Sequence, residues 1–168
     1  MSYTLENLAE DCRTALRSGE SPESLEKVCG FVKKALADKD FMADHLLNRE
    51  PPPERNVIFE DPELGFCICA HIYAGAKPGD PHDHGPTWAI YGQAEGETEM
   101  TDWRIVRPAA DGQPALVEKT RSYVLKPGDA HIYPTGAVHA PLRYGATRLL
   151  RVEGRNTDRI QRTPIAVA

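Results

Sequence analysis

A chain of 168 residues that is 40% hydrophobic has enough apolar material for one core and no room for a second full domain. Charged side chains make up 27% of it, and no apolar run approaches the roughly 18 residues that a spanning helix needs, so a soluble protein with no membrane partner is expected. Twenty basic against 25 acidic side chains leave a net charge of −5, which disfavours a polyanion-binding surface and argues against nucleic acid as a partner.

The polar, acidic N-terminus lacks the basic start and apolar centre of a secretion signal. Cys12, Cys29, Cys67 and Cys69 show no C-x-x-C pairing, so free thiols in a reducing cytoplasm are expected. Leu5, Leu8, Ala9, Cys12 and Leu16 recur every three or four residues and predict a first helix over 3–17. Ser21 followed by Pro22 starts a second over 22–37, carrying Leu25, Val28, Phe31, Val32 and Leu36. A shorter piece with Phe41, Met42, Leu46 and Leu47, capped by Asp40, must stop at Pro51-Pro52-Pro53. Residues 1–50 thus form a helical section packed on a β unit over 51–168, the two together making one domain.

After Pro53 the period changes to two, and short β-branched or aromatic runs alternate with Gly, Pro and Asp clusters. Strands are expected at 56–60, 65–73, 86–93, 96–106, 115–119, 121–125, 130–133, 137–143 and 147–153, with the tail either an extra strand or loose. Such regular spacing points to an antiparallel sandwich or barrel. Cys67 and Cys69, two apart, share one strand face and read as buried thiols.

His82 and His84 flank Asp83 in an extended segment, so both imidazoles can reach one ion while Asp83 points away, solvated or supporting a ligand. Alone, that pair leaves metal binding and an ordinary loop equally open. Gly128-Asp129, Pro134-Thr135-Gly136 and His139 add the pattern G-D-x4-P-x-G-x2-H, with turns that bring His139 back towards the pair. Together the two segments resemble the two-part signature of the cupin superfamily. The resemblance implies a mainly β fold, a cupin-type double-stranded β-helix (jelly-roll barrel) with N-terminal α-helices, and assigns His82, His84 and His139 as metal ligands. Many cupins add a glutamate ligand about five residues after the second histidine; here that position is Ala89. A site of histidines alone keeps the ion's full charge and leaves positions open for anions, and it suits Fe(II) as well as Zn or Ni.

Within the superfamily, residues 50–155 resemble the cysteine-dioxygenase-type thiol dioxygenases, in the order Arg55-Asn56, strand 65–73, His82-Asp83-His84, Gly96 and His139. The resemblance implies an Fe(II)-dependent conversion of a small carboxylated thiol and O2 to a sulfinate, with Arg55 gripping the carboxylate through its two-pronged guanidinium. Two departures matter. The cysteine–tyrosine crosslink of some members cannot form, because Ala89 and Glu153 stand at those places. The family's Ser-x-His-x-Tyr set falls on Leu149-Leu150-Arg151-Val152-Glu153. Either Leu149, Arg151 and Glu153 face the cavity, making Arg151 and Glu153 candidate catalytic groups for a substrate other than free cysteine, or Leu150 and Val152 face the core and the charged pair lies on the surface.

His131 reads as a structural histidine, His71 as a core or rim residue and His45 as exposed. Trp88, Tyr91, Trp103, Tyr123 and Tyr133 read as barrel aromatics, with Trp88 or Tyr91 lining the pocket. The competing functions are another metal-dependent cupin enzyme, either a carbon dioxygenase or a Lewis-acid isomerase, and a non-catalytic small-ligand-binding cupin. Self-association is common among cupins, which leaves a homo-oligomer open.

Overall fold

The computed structural model covers residues 1–168. Helix α1 (Leu5–Leu16) begins at Thr4, whose hydroxyl accepts from the Asn7 amide while the Asn7 side chain accepts from the Thr4 amide. Helix α2 (Pro22–Ala37) begins at Ser21, as expected. The third helical piece is capped by Asp38 and not by Asp40: helix α3 (Lys39–Met42) and a π-helical turn (Ala43–Leu47) follow it. The Asp38 carboxylate accepts from both Phe41 N, at 2.9 Å, and Tyr3 N, at 2.7 Å, so it ties the chain's start to this helix. His45 is half-buried, its ring 4.8 Å from that of Phe41, because the π-helical turn rolls it inward. No helix is long and apolar enough to cross a membrane.

Ten strands build two five-stranded sheets, and the fold is a mainly β jelly-roll barrel, a double-stranded β-helix, with helices at its N-terminal end. One sheet contains β1 (Arg55–Glu60), β2 (Cys67–Tyr73), β4 (Ala89–Glu95), β7 (Ala130–Tyr133) and β9 (Thr147–Glu153), in the order β1-β2-β9-β4-β7. The other contains β3 (Lys77–Pro78), β5 (Thr98–Arg107), β6 (Ala115–Leu125), β8 (Val138–Arg143) and β10 (Ile165–Val167), in the order β10-β6-β5-β8-β3. The two strands expected over 115–125 are one: β6 runs through with a local register shift against β5 near Asp102 and Trp103, and Thr120 turns its hydroxyl back to the Asp102 carbonyl at 3.0 Å. The tail is ordered as β10, parallel to β6.

The two sheets are buried differently. Along β2, Ile68, Ala70 and Ile72 face the helices, while Cys67, Cys69, His71 and Tyr73 point into the barrel; both sets are buried or nearly so. The same division holds on β9, where Leu150 and Val152 join the helical core and Leu149 joins the interior cluster with Tyr91, Met100 and Tyr133. A strand covered on both faces shows little polar alternation, which is why CICAHIY reads as nearly continuous apolar sequence. The second sheet keeps an exposed outer face, with Ile105, Val106 and Val124 at the surface.

Gly92 on β4 marks where α2 comes closest. A Cβ there would lie 2.5 Å from Val32 Cγ1 and 3.2 Å from the Leu150 carbonyl oxygen. Gly92→Ala is therefore expected to destabilise the protein by about 1–3 kcal/mol through overpacking, measured by urea unfolding; an unchanged midpoint would show that α2 can move away freely.

Candidate metal centre

The three histidines reach one point by two routes. His139 sits on β8, and His82 lies opposite it in the loop between β3 and β4, with His82 N donating to His139 O and His139 N to His82 O, each at 3.0 Å. This backbone pair and the Gly79 N to Pro141 O bond, at 2.8 Å, fasten an irregular loop to a strand. His84 follows around a turn whose Gly85 has φ +61°, where a Cβ would come within 2.7 Å of the Gln161 carbonyl oxygen. Asp83 is buried and accepts from Gly85 N and Thr163 N at 3.0 and 3.3 Å, so it pins the ligand loop to the tail instead of facing solvent.

The nearest ligand atoms of His82, His84 and His139 all lie within 4.8 Å of one another. His84 Nε2 and His139 Nε2 are 3.2 Å apart. Two nitrogens each about 2.1 Å from a shared ion, at tetrahedral or octahedral angles, stand roughly 3.0–3.4 Å apart, so the pair fits a metal. The His82 Nδ1–H donates to the Asp80 carbonyl at 2.9 Å, which leaves Nε2 with its lone pair free. Burial pulls His82 down to about 4, with Arg162 and Arg151 acting in the same direction. Burial also pulls His84 and His139 well below the usual imidazole range, helped by Arg151 and by the neighbouring histidines. Neutral imidazoles are the form that binds a metal.

Tyr91 completes this group. Its hydroxyl is 3.0 Å from His84 Nε2 and 3.1 Å from His139 Nε2, and burial raises its pKa, so it holds its proton. Tyr91 thus faces the barrel interior beside the triad and Trp88 faces the helical core, while the aromatic that lines the cavity beside His82 is Tyr73. His131 stacks with Tyr123 and Tyr133 outside the ligand group, in keeping with a structural role.

Arg151 and Glu153 are both buried and lie on the barrel side of β9. Arg151 shares a rung with Cys69 and Tyr91, and Glu153 shares one with Cys67 and Ala89. The guanidinium carbon of Arg151 lies 4.1 Å over the Tyr91 ring, a cation–π contact that fixes its plane. Arg55, the expected carboxylate grip, is already engaged by the protein: Nη1 donates to Glu153 at 2.5 Å, Nη2 to Asn156 at 3.2 Å, and Nε lies 3.2 Å from Asp158. Cys67, Cys69 and Glu153 also bring three ligand atoms within 4.8 Å. There the Arg55 cation takes the place an ion would fill, and the Cys69 hydrogen bond together with burial pushes the Cys67 thiol up, so it stays protonated.

His71 shows how polar this wall is. Arg55 Nη1 lies 3.3 Å from its Nε2 and Tyr73 Oη 3.1 Å from its Nδ1; an arginine can only donate, so Nε2 accepts and Nδ1–H donates. Burial, then the charges of Arg151, Arg55 and Arg143, drives its pKa well below 6.5. The unfolded chain therefore takes up this proton first as pH falls, and stability present above about pH 6.5 is lost below it at about 1.4 kcal/mol per pH unit. His71→Gln should flatten the stability–pH slope by that amount, read from urea midpoints between pH 7 and 5; an equal slope would show that His71 titrates normally.

A cavity of about 490 Å3 opens beside His82. Arg55, Lys77, Arg143, Arg151 and Arg162 line it, against the carboxylates of Asp80 and Asp158. Of these, Lys77, Arg143, Asp158 and Arg162 do not stand out in the sequence. Arg143 had a usable signal: His139, Pro141 and Arg143 are two apart along β8, so they share a face once His139 is known to point inward. Arg162 had none, because only the folded tail brings it there.

No protein-family model and no curated protein sequence matches the chain. Among solved structures it is similar to the Cnp3 cupin domain of Schizosaccharomyces pombe, at 14% identity and a TM-score of 0.46, the match spanning 61% of this chain and 61% of that one. It is similar to KdgF from Halomonas sp., at 16% identity and a TM-score of 0.47, over 70% of this chain and 98% of that one. The hydroquinone 1,2-dioxygenase PnpCD, in complex with Cd2+ and 4-hydroxybenzonitrile, gives 13% identity and a TM-score of 0.49, over 82% and 80% of the two chains.

Proposed function

We propose that the protein is a mononuclear Fe(II)-dependent dioxygenase that converts a small carboxylated thiol to its sulfinate, RSH + O2 → RSO2H. The observation that carries this reading is a triad of neutral imidazoles, with no carboxylate among them, opening at His82 onto a cavity lined by five cationic side chains. His82, His84 and His139 would hold the metal. Bound Fe(II) supplies a site where a thiolate and O2 can meet, and its charge lowers the thiol pKa so that no strong base is needed. Arg151, stacked on Tyr91, binds and orients the substrate carboxylate. Arg55 and Glu153 act as positioning residues, since Glu153 lies 3.9 Å from Arg151 and is itself held by Arg55. Tyr91 keeps a proton on its hydroxyl at the edge of the triad, available as a hydrogen-bond donor.

One observation favours a second reading. The strand that carries Ser-x-His-x-Tyr in the resembling family presents Leu149, Arg151 and Glu153 here, so the same metal could instead serve a carbon substrate, by dioxygenation or as a Lewis acid. Anaerobic reconstitution with Fe(II), followed by O2 uptake with cysteine, 3-mercaptopropionate and mercaptosuccinate, separates the two. One O2 consumed per thiol, with both labelled oxygens on sulfur, is the expected result; no uptake with any thiol removes the thiol dioxygenase reading.

A further inference from the structure

Arg143 and Arg151 are the two most deeply buried cations of the cavity, and neither has a carboxylate to itself. Arg143 is 3% exposed and Arg151 6% exposed. Arg143 Nε and Nη2 and Arg151 Nε have no hydrogen-bond partner in the protein. For Arg151 the carboxylate within ion-pair range is Glu153, at 3.9 Å, whose nearer oxygen is taken by Arg55 at 2.5 Å. Arg143 forms no ion pair, and burial lowers the pKa of its guanidinium. Buried donors are ordinarily satisfied, and charged ones most of all, because an unpaired buried charge costs several kcal/mol. Both side chains are nevertheless held rigidly: the Arg143 guanidinium carbon lies 4.1 Å over the Tyr73 ring and that of Arg151 lies 4.1 Å over the Tyr91 ring. Two fixed, unsatisfied guanidinium groups on the wall of one cavity describe a binding site whose missing partner is an anion with two charged ends.

We infer that Arg143 and Arg151 form a two-point anion subsite and that the substrate of this centre is a small dicarboxylate bearing the reacting group, not a mono-acid or an amino acid. The inference rests on the dioxygenase reading above for its metal chemistry and deepens it by naming the substrate class. An α-ammonium group would meet five cations against two carboxylates, Asp80 and Asp158, and Asp158 already lies 3.2 Å from Arg55 Nε, so the charge balance of the cavity favours a second anionic end over an ammonium group. Arg143 sits four residues after His139 on the same face of β8, and Arg151 shares its rung with Tyr91, which contacts His84 and His139. The subsite is therefore built on the elements that hold the triad, and loop movement is not required to assemble it.

The test reads binding without turnover, so that its failure is distinct from failure of the oxygenase reading. Isothermal titration of the full-length protein loaded with Zn(II) compares succinate, butyrate, β-alanine and inorganic phosphate. Succinate is expected to bind at least tenfold more tightly than butyrate, with β-alanine weakest. Arg143→Met should lower succinate affinity at least tenfold and abolish its preference over butyrate, and Arg143→Lys should retain part of that preference. The Arg143→Met protein should melt no lower than the wild type, since it loses a buried charge with no partner. Equal affinity for succinate and butyrate in the wild type, or a preference that survives Arg143→Met, overturns the inference. Phosphate binding tenfold tighter than succinate overturns the assignment to a dicarboxylate. If Arg143→Met fails to fold, the wild-type ratios and Arg143→Lys still decide the matter.

Discussion

His139→Ala is expected to lower the affinity of the protein for a divalent metal by more than about 100-fold, since loss of a supporting residue around a metal ligand already costs about 10–100-fold and His139 would itself be a ligand. Its Nε2 lies 3.2 Å from that of His84 and its backbone is paired with that of His82, so it is the hinge of the whole group. The consequence is visible in stability. A metal present at 100 times its dissociation constant stabilises a protein by about 2.7 kcal/mol, and in a chain of this size each kcal/mol raises Tm by about 2–4 °C. The wild type should therefore melt about 5–11 °C higher with Fe(II) under anaerobic conditions or with Zn(II), and His139→Ala should show no such shift. Metal analysis after dialysis provides the second reading: about one equivalent in the wild type and none in the variant. A metal-dependent shift that survives in His139→Ala would mean that the three imidazoles do not share an ion.

Glu153→Ala should produce the largest loss of stability from a single substitution outside the metal ligands, about 3–5 kcal/mol, the usual consequence of removing one partner from a buried charge cluster. Glu153 is fully buried, accepts from Arg55 at 2.5 Å and lies 3.9 Å from Arg151. Its removal takes from Arg55 its closest partner, leaving Asn156 and Asp158, and from Arg151 the one carboxylate within ion-pair range, in a wall that already contains Arg143. At about 2–4 °C per kcal/mol, Tm should fall by about 6–20 °C. Adding Arg55→Met to Glu153→Ala removes one of these cations, so the double variant should be more stable than Glu153→Ala alone, a non-additivity that urea unfolding can measure. Additive losses would show that the two side chains contribute separately and that Arg55 does not depend on Glu153.

The candidate ligands are legible in the chain through a resemblance carried by two short segments. Two histidines two residues apart, and a third that follows turns at Gly128 and at Pro134 to Gly136, make up the two-part pattern whose resemblance to the cupin signature marks all three as ligands. Strand parity works equally well wherever a strand is regular: Cys67, Cys69 and His71 share a face because they are two apart, and so do Leu149, Arg151 and Glu153. Around Arg151 the fold combines both alternatives. Leu150 and Val152 do face a core, because α2 and the π-helical turn cover the outer face of that sheet, and Arg151 and Glu153 are buried as well, because they face the closed interior of the barrel. Alternation distinguishes inside from outside only when one face is wet.

The sequence by itself determined the strand-rich architecture and both long helices, with Ser21 as the cap of the second, because these depend on contacts between near neighbours or on a two-residue period; the three candidate ligands came from the resemblance of two separate segments to a known signature. Only the tertiary structure decided which charges meet. It placed Arg55 against Glu153, nearly a hundred residues away, so that its guanidinium is held by the protein's own carboxylate at the edge of the cavity. It folded the tail back over the ligand loop, burying Asp83 and bringing Arg162 to the cavity, and it left Arg143 and Arg151 buried with donors unsatisfied. Pairing between distant side chains depends on how two sheets and a tail close around one space, and no periodicity along the chain records that distance.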